Sequence, residues 1–238
     1  MASLALAGAT DVLNSFDFDV IQRSWFYLFT TGMVFTLKLT VLAMFGGILL
    51  GTLLAVMRLS NIRIIPAIAA TYVNVIRAVP LVLVIFWFYF LVPYIGAWMI
   101  GSEQPIKVGA FMSSLITFTM FEAAYFCEIM RAGIGSIPQG QVSAGLALGM
   151  SKSQTMINII LPQAFKNMLP ILLTQSIILF QDVSLVYVLS IPDFVGAASK
   201  VAQRDGRMVE MYLFVAVVYF LMSFGMSLLV RRQEKFEA

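Results

Sequence analysis

The chain has 238 residues, 61% of them hydrophobic and 11% charged, with a mean hydropathy of +0.93 and a net charge of +3. Soluble domains carry charge on about a quarter of their residues, so these side chains are too few to cover a water-soluble globule, and an all-α polytopic membrane protein is expected. Histidine is absent and Cys127 is the single cysteine. Together these exclude a His-ligated metal site, a Ser-His or Cys-His nucleophile pair and an intrachain disulfide.

Taken in chain order, residues 1–24 lack the basic start of a cleavable signal and read as an external tail holding Asp11, Asp17, Asp19 and Arg23. About 20 helical residues cross the hydrocarbon layer. Nearly charge-free runs therefore predict five spans, at about 27–57, 78–100, 108–130, 162–181 and 211–230. The apolar run 64–76 reads as a separate interfacial helix, because Arg77 and Pro80 part it from the second span. The run 183–192 is too short to cross and reads as a re-entrant or interfacial piece on the outer side.

Lys and Arg gather in the loops holding Arg58, Arg63 and Arg77, in the loop from Arg131 to Lys166, and at Arg231, Arg232 and Lys235. Positive loops stay inside, so the N-terminus is expected outside and the C-terminus in the cytoplasm. Residues 25–230 then form one transmembrane domain with an inner loop at 133–162, and residues 231–238 form an inner tail.

That inner loop carries helix punctuation. Gly149 stands where a helix C′ glycine belongs. Ser151 with Gln154 makes a capping-box pattern, and Pro162 is expected to bound the short second helix where the fourth span begins.

Ionisable groups inside a span are expensive, so each is a candidate site. Glu122 lies near the middle of the third span, where it either faces a translocation path and holds a substrate ammonium, or pairs with a basic side chain, or is a protonated buried acid. Lys38 either attracts an anionic substrate or snorkels to the outer headgroups. Arg77 either grips a carboxylate or flanks the second span. Glu128 and Arg131, three residues apart, are expected to pair. Asp182 is expected to cap the apolar piece that follows it. Asn74, Tyr72 and Gln175 are candidate polar wall residues. The absence of a Gly-x-x-x-x-Gly-Lys-[Ser/Thr] sequence excludes a P-loop in this chain, and no Gly-x-Gly-Asp sequence supports an intramembrane protease.

Gly149, followed after nine residues by Ile159-Ile160-Leu161-Pro162, resembles the cytoplasmic Glu-Ala-Ala loop of ABC importer permeases. The triplet itself is here Ser143-Ala144-Gly145. Tyr72-Val-Asn-Val-Ile-Arg77, Phe121-Glu-Ala-Ala-Tyr125, Glu128-Ile-Met-Arg131 and Leu179-Phe-Gln-Asp182 are similar to the polar amino-acid branch of that family. The resemblance implies a type I importer permease fold and transport of amino acids, with glutamate and aspartate as expected substrates. It assigns ATPase coupling to about 140–151 and the loop end, which includes Gly140, Ser143, Ala144, Gly145, Gly149, Ser151, Ile159, Leu161 and Pro162.

The partners it implies are two copies of an ATPase subunit that uses ATP and Mg, a second permease as heterodimer or homodimer, and a periplasmic binding protein, in the bacterial inner membrane. Membrane lipid surrounds the chain, no nucleic acid is expected, and neither a cofactor nor a metal is expected within the chain itself. From the residues alone, a stand-alone pore or secondary carrier stays open as the alternative.

Overall fold

The structure, a computed structural model, describes residues 16–237, with side chains through Arg232. Among the described residues, five helices are long and apolar enough to cross a membrane: α1 (Asp19–Arg58), α3 (Leu81–Met99), α4 (Ala110–Gly135), α6 (Lys152–Leu189) and the helix containing Met208–Arg232, α8. Three shorter helices are α2 (Ile64–Ala78), α5 (Gln139–Ala147) and α7 (Phe194–Asp205). No strand occurs among the described residues.

The boundaries follow local chemistry. Among the described residues the first helix starts at Asp19 rather than near Tyr27, so the expected tail is helical from that point; Asp11 lies outside the described residues. Asp19 in the first turn complements the helix N-terminus, and the Asp17 carboxylate accepts its N–H at 2.9 Å. The expected break before the second span is present, with Val79 extended at φ −106° and ψ 134° ahead of Pro80. At 15 residues, α2 is about 22 Å long, too short to cross.

Two expected boundaries are corrected. Pro162 does not end a helix: α6 runs through it, because a π turn at Met156–Ile160 loosens the ladder just before the proline that cannot donate. Asp182 does not cap the next piece either. The chain continues helically into a 3₁₀ stretch, Val183–Leu189, so the amides beyond Asp182 are not those of a fresh helix start. The cap falls at Asp193, whose carboxylate accepts the N–H groups of Val195 at 3.0 Å and Gly196 at 2.9 Å to begin α7.

The chain divides into two compact units. In the unit made of Met1–Leu37 and Ser184–Met222, α7 lies against the π turn Leu28–Met33. A Cβ on Gly32 would sit 2.9 Å from the Ala197 Cβ, and Thr36 Oγ1 accepts the Phe194 N–H at 3.0 Å. Arg207 pairs with Asp17 at 3.6 Å and with Glu210 at 3.1 Å, and Arg23 pairs with Asp205 at 3.4 Å.

In the unit made of Lys38–Val183 and Ser223–Ala238, the part of α1 from Lys38 onward, α2 and α6 pack on α4. Lipid is as apolar as leucine, so span association depends on close packing, and small residues permit it. A Cβ on Gly47 would lie 2.9 Å from the Glu122 Cβ, and one on Gly51 2.8 Å from the Phe126 Cβ. Facing pairs give the directions. Gly46 meets Thr119, Gly51 meets Phe126 and Arg58 meets Glu128, so α1 and α4 run parallel. Glu122 meets Gln175 and Gly133 meets Met168, so α6 runs antiparallel to α4, as successive crossings require.

Candidate functional site

The deepest polar feature of the second unit is a pair. Glu122 is 0% exposed, and Gln175, on the facing turn of α6, donates Nε2–H to its Oε2 at 3.1 Å and lies 3.4 Å from Oε1. Among the described residues no lysine or arginine forms an ion pair with Glu122. The structure thus joins two of the sequence candidates and buries both.

The other candidates are dispersed. Lys38 is exposed on α1, Asn74 is exposed on α2 and Asp182 is half-buried near the end of α6, and no ion pair or hydrogen bond links them to Glu122. Tyr72 is tied to structure, its hydroxyl donating to the Met120 carbonyl at 2.7 Å.

Arg77, in the last turn of α2, joins an ionic node. Glu128 accepts from Arg131 Nη2 at 2.8 Å, as the three-residue spacing predicts, and also from Arg58 at the end of α1. Arg77 Nη1 lies 4.0 Å from the same carboxylate, with its guanidinium carbon 5.3 Å from the centroid of the Tyr125 ring. One acid therefore serves three arginines on three helices. Arg58 was not legible as a member, since it lies 70 residues from Glu128 and looks like an ordinary flanking arginine.

The 133–162 loop is a folded knuckle. Ile137, Ile160 and Ala164 are buried together, with Ile134, Val142, Met156 and Ile159 packed on them, so one face of α5 is anchored on the start of α6. Gly149 adopts φ +79°, a left-handed value that glycine takes at little cost. The capping box is complete: Gln154 N–H donates to Ser151 Oγ at 3.2 Å, and Ser151 N–H donates to Gln154 Oε1 at 2.8 Å. Gly140, Ser143 and Ala144 are exposed, as are Leu161 and Pro162.

Gly145 explains part of the departure from the family triplet. It is buried, and a Cβ there would lie 2.8 Å from Thr155 Cγ2 and 3.0 Å from Ile159 Cδ1. Thr155 already fills the space that an alanine methyl would take. The sequence carries no signal for this packing, which depends on how the two helices fold back.

Spanning helices, a buried polar pair at the seam of two of them and an anchored helical knuckle together define a polytopic helical membrane protein. Residues 47–236 match the family described as binding-protein-dependent transport system inner membrane component, and the chain belongs to that family. It is 53% identical over 218 residues to the glutamate/aspartate import permease protein GltK of Escherichia coli O6:H1, covering 92% of this chain and 96% of that one. It is 30% identical over 211 residues to the L-cystine transport system permease protein TcyB of Bacillus subtilis, covering 88% and 86%. Among solved structures, a crystal structure of an amino acid ABC transporter with histidines superposes with a TM-score of 0.81 at 32% identity, over 90% of this chain and 96% of that one. The inward-facing MetNI methionine ABC transporter shares the fold, with a TM-score of 0.64 at 19% identity over 87% and 96%.

The chain is thus a multi-pass inner-membrane permease subunit of an amino-acid ABC importer. It is a transport component rather than an enzyme, working with a separate ATPase, a binding protein and a second permease.

Proposed function

We propose that this chain is the permease through which glutamate and aspartate pass inward. The observation that carries the substrate reading is the 53% identity to the glutamate/aspartate permease GltK over nearly the whole of both chains. In this reading the N-terminus is outside and the C-terminus inside, as the Lys and Arg distribution asks. A heterodimer with a second permease stands on two ATPase copies, which use ATP and Mg, while the 140–162 segment of this chain receives their motion.

Glu122 and Gln175 mark the α4–α6 seam as the wall of the path. Buried in the single chain, their polar groups become available to substrate when the seam opens during alternating access, and the Glu122 carboxylate then holds the amino acid's ammonium. Lys38, Arg77, Asn74 and Asp182 are the remaining wall positions in this proposal.

The test is uptake of labelled glutamate into vesicles reconstituted with the chain, its second permease, the ATPase and the binding protein. Aspartate is expected to compete, and glutamine and cystine are not. Equal competition by all three would overturn the substrate assignment, while unchanged uptake by Glu122→Gln at equal expression would remove Glu122 from the path.

A further inference from the structure

We propose that the ATPase groove receiving this chain has an apolar floor and an acidic rim, with no cation opposite position 143. The proposal rests on the reading of 140–162 as the ATPase-binding segment and goes beyond it by assigning the chemistry of the partner surface.

The docking face of α5 is uncharged. Its nine residues, Gln139–Ala147, include no Asp, Glu, Lys or Arg, and the position where the family pattern has glutamate carries the exposed Ser143. The opposite face is already used. Gly145 abuts Thr155, and Val142 packs on the Ile137, Ile160 and Ala164 cluster, so the orientation of α5 is fixed by the chain's own core.

What remains outward is apolar at its tip. Leu148 is 82% exposed and Leu146 is 43% exposed. The left-handed turn at Gly149 and the bond from the Met150 N–H to the Gly145 carbonyl, 3.1 Å, hold that tip in place. A leucine held rigidly in water on a built turn is an anchor awaiting a pocket, because an apolar side chain gains most when a preorganised partner removes it from solvent.

The flank is net basic. From Ile129 to Gln181 the sequence contains Arg131, Lys152 and Lys166 and no acid, and of these Arg131 is paired with Glu128 just before that stretch. Lys152 is exposed directly after the Ser151 cap. Complementary potentials across an interface therefore call for carboxylates around the pocket. A glutamate at 143, exposed on the same short helix, would bring a like charge to that interface.

The experiment uses the reconstituted importer with all its subunits and reads co-purification of the ATPase together with ATP-driven glutamate uptake. Leu148→Asp tests the underlying reading: the ATPase is expected to dissociate, and full retention would show that this segment does not bind it. Ser143→Glu tests the inference. Retention and uptake are expected to fall at least about tenfold, the scale on which truncating a single anchor weakens an interface, while neutral Ser143→Gln stays near wild type. Wild-type or stronger ATPase retention by Ser143→Glu, with Leu148→Asp still deficient, would overturn the acidic-rim proposal and leave the docking role of the segment standing.

Discussion

Gln175 Nε2–H donates to the Glu122 carboxylate at 3.1 Å, with both side chains buried where α6 crosses α4. Removing one partner leaves the other polar group buried without its bond, whereas removing both does not. Gln175→Leu is therefore expected to destabilise the detergent-solubilised chain by about 1–3 kcal/mol. The double variant Glu122→Leu/Gln175→Leu should recover much of that deficit. Thermal unfolding of the four chains of the cycle checks this, and strictly additive effects would show that the bond is not coupled.

Close packing of α1 on α4 gives a second prediction. Gly51→Ala places a Cβ 2.8 Å from the Phe126 Cβ and 3.0 Å from the Ala123 carbonyl, so one helix must move. Overpacking a core typically costs about 1–3 kcal/mol. Gly140→Ala, with nothing within 4 Å of the added atom, is the control. Equal melting temperatures for the two variants would refute the packing argument.

At the knuckle, Gly145→Ala restores one residue of the family triplet yet is expected to weaken ATPase retention, because its methyl meets Thr155 Cγ2. Adding Thr155→Ala should restore retention by clearing that space. A Gly145→Ala chain that retains the ATPase at wild-type level would show that the triplet departs from the family for another reason.

Outside the spans, burial pushes the Asp193 carboxyl up to about 7 from an ordinary 3.8, against the lowering effect of the N–H bonds from Gly196 and Val195. The folded state then holds the proton more tightly than the unfolded chain. This group's contribution to stability is full below about pH 4 and is lost as pH rises toward about 7. Asp193→Asn keeps a capping oxygen and removes the titration, so its melting temperature should fall less than the wild type's across that interval. Parallel curves for the two chains would contradict the assignment.

Much of the architecture was legible because a bilayer demands long charge-free runs, and each expected span overlaps an observed one. The capping box at Ser151 and Gln154 and the stop at Gly149 were equally legible, since both are local hydrogen-bond patterns. Continuity through Pro162 was not, because a π turn upstream relieves the proline and has no composition of its own. The Glu128 node was half legible: the i,i+3 partner Arg131 follows from helix geometry, while Arg58 and Arg77 arrive by tertiary packing. For the candidate site, Glu122 stood out as a carboxylate without a nearby loop, but its partner Gln175 was one polar residue among several until α4 and α6 were seen to run antiparallel.

A permease subunit of this kind moves an amino acid only when driven from outside itself. The most direct measurement of that dependence is labelled glutamate uptake into vesicles containing the chain with its second permease, supplied with binding protein, ATPase and ATP, then with each component withheld in turn. Uptake is expected with the full set and is expected to vanish when the ATPase or ATP is omitted. Glutamate flux through the chain alone, without ATPase, would contradict it.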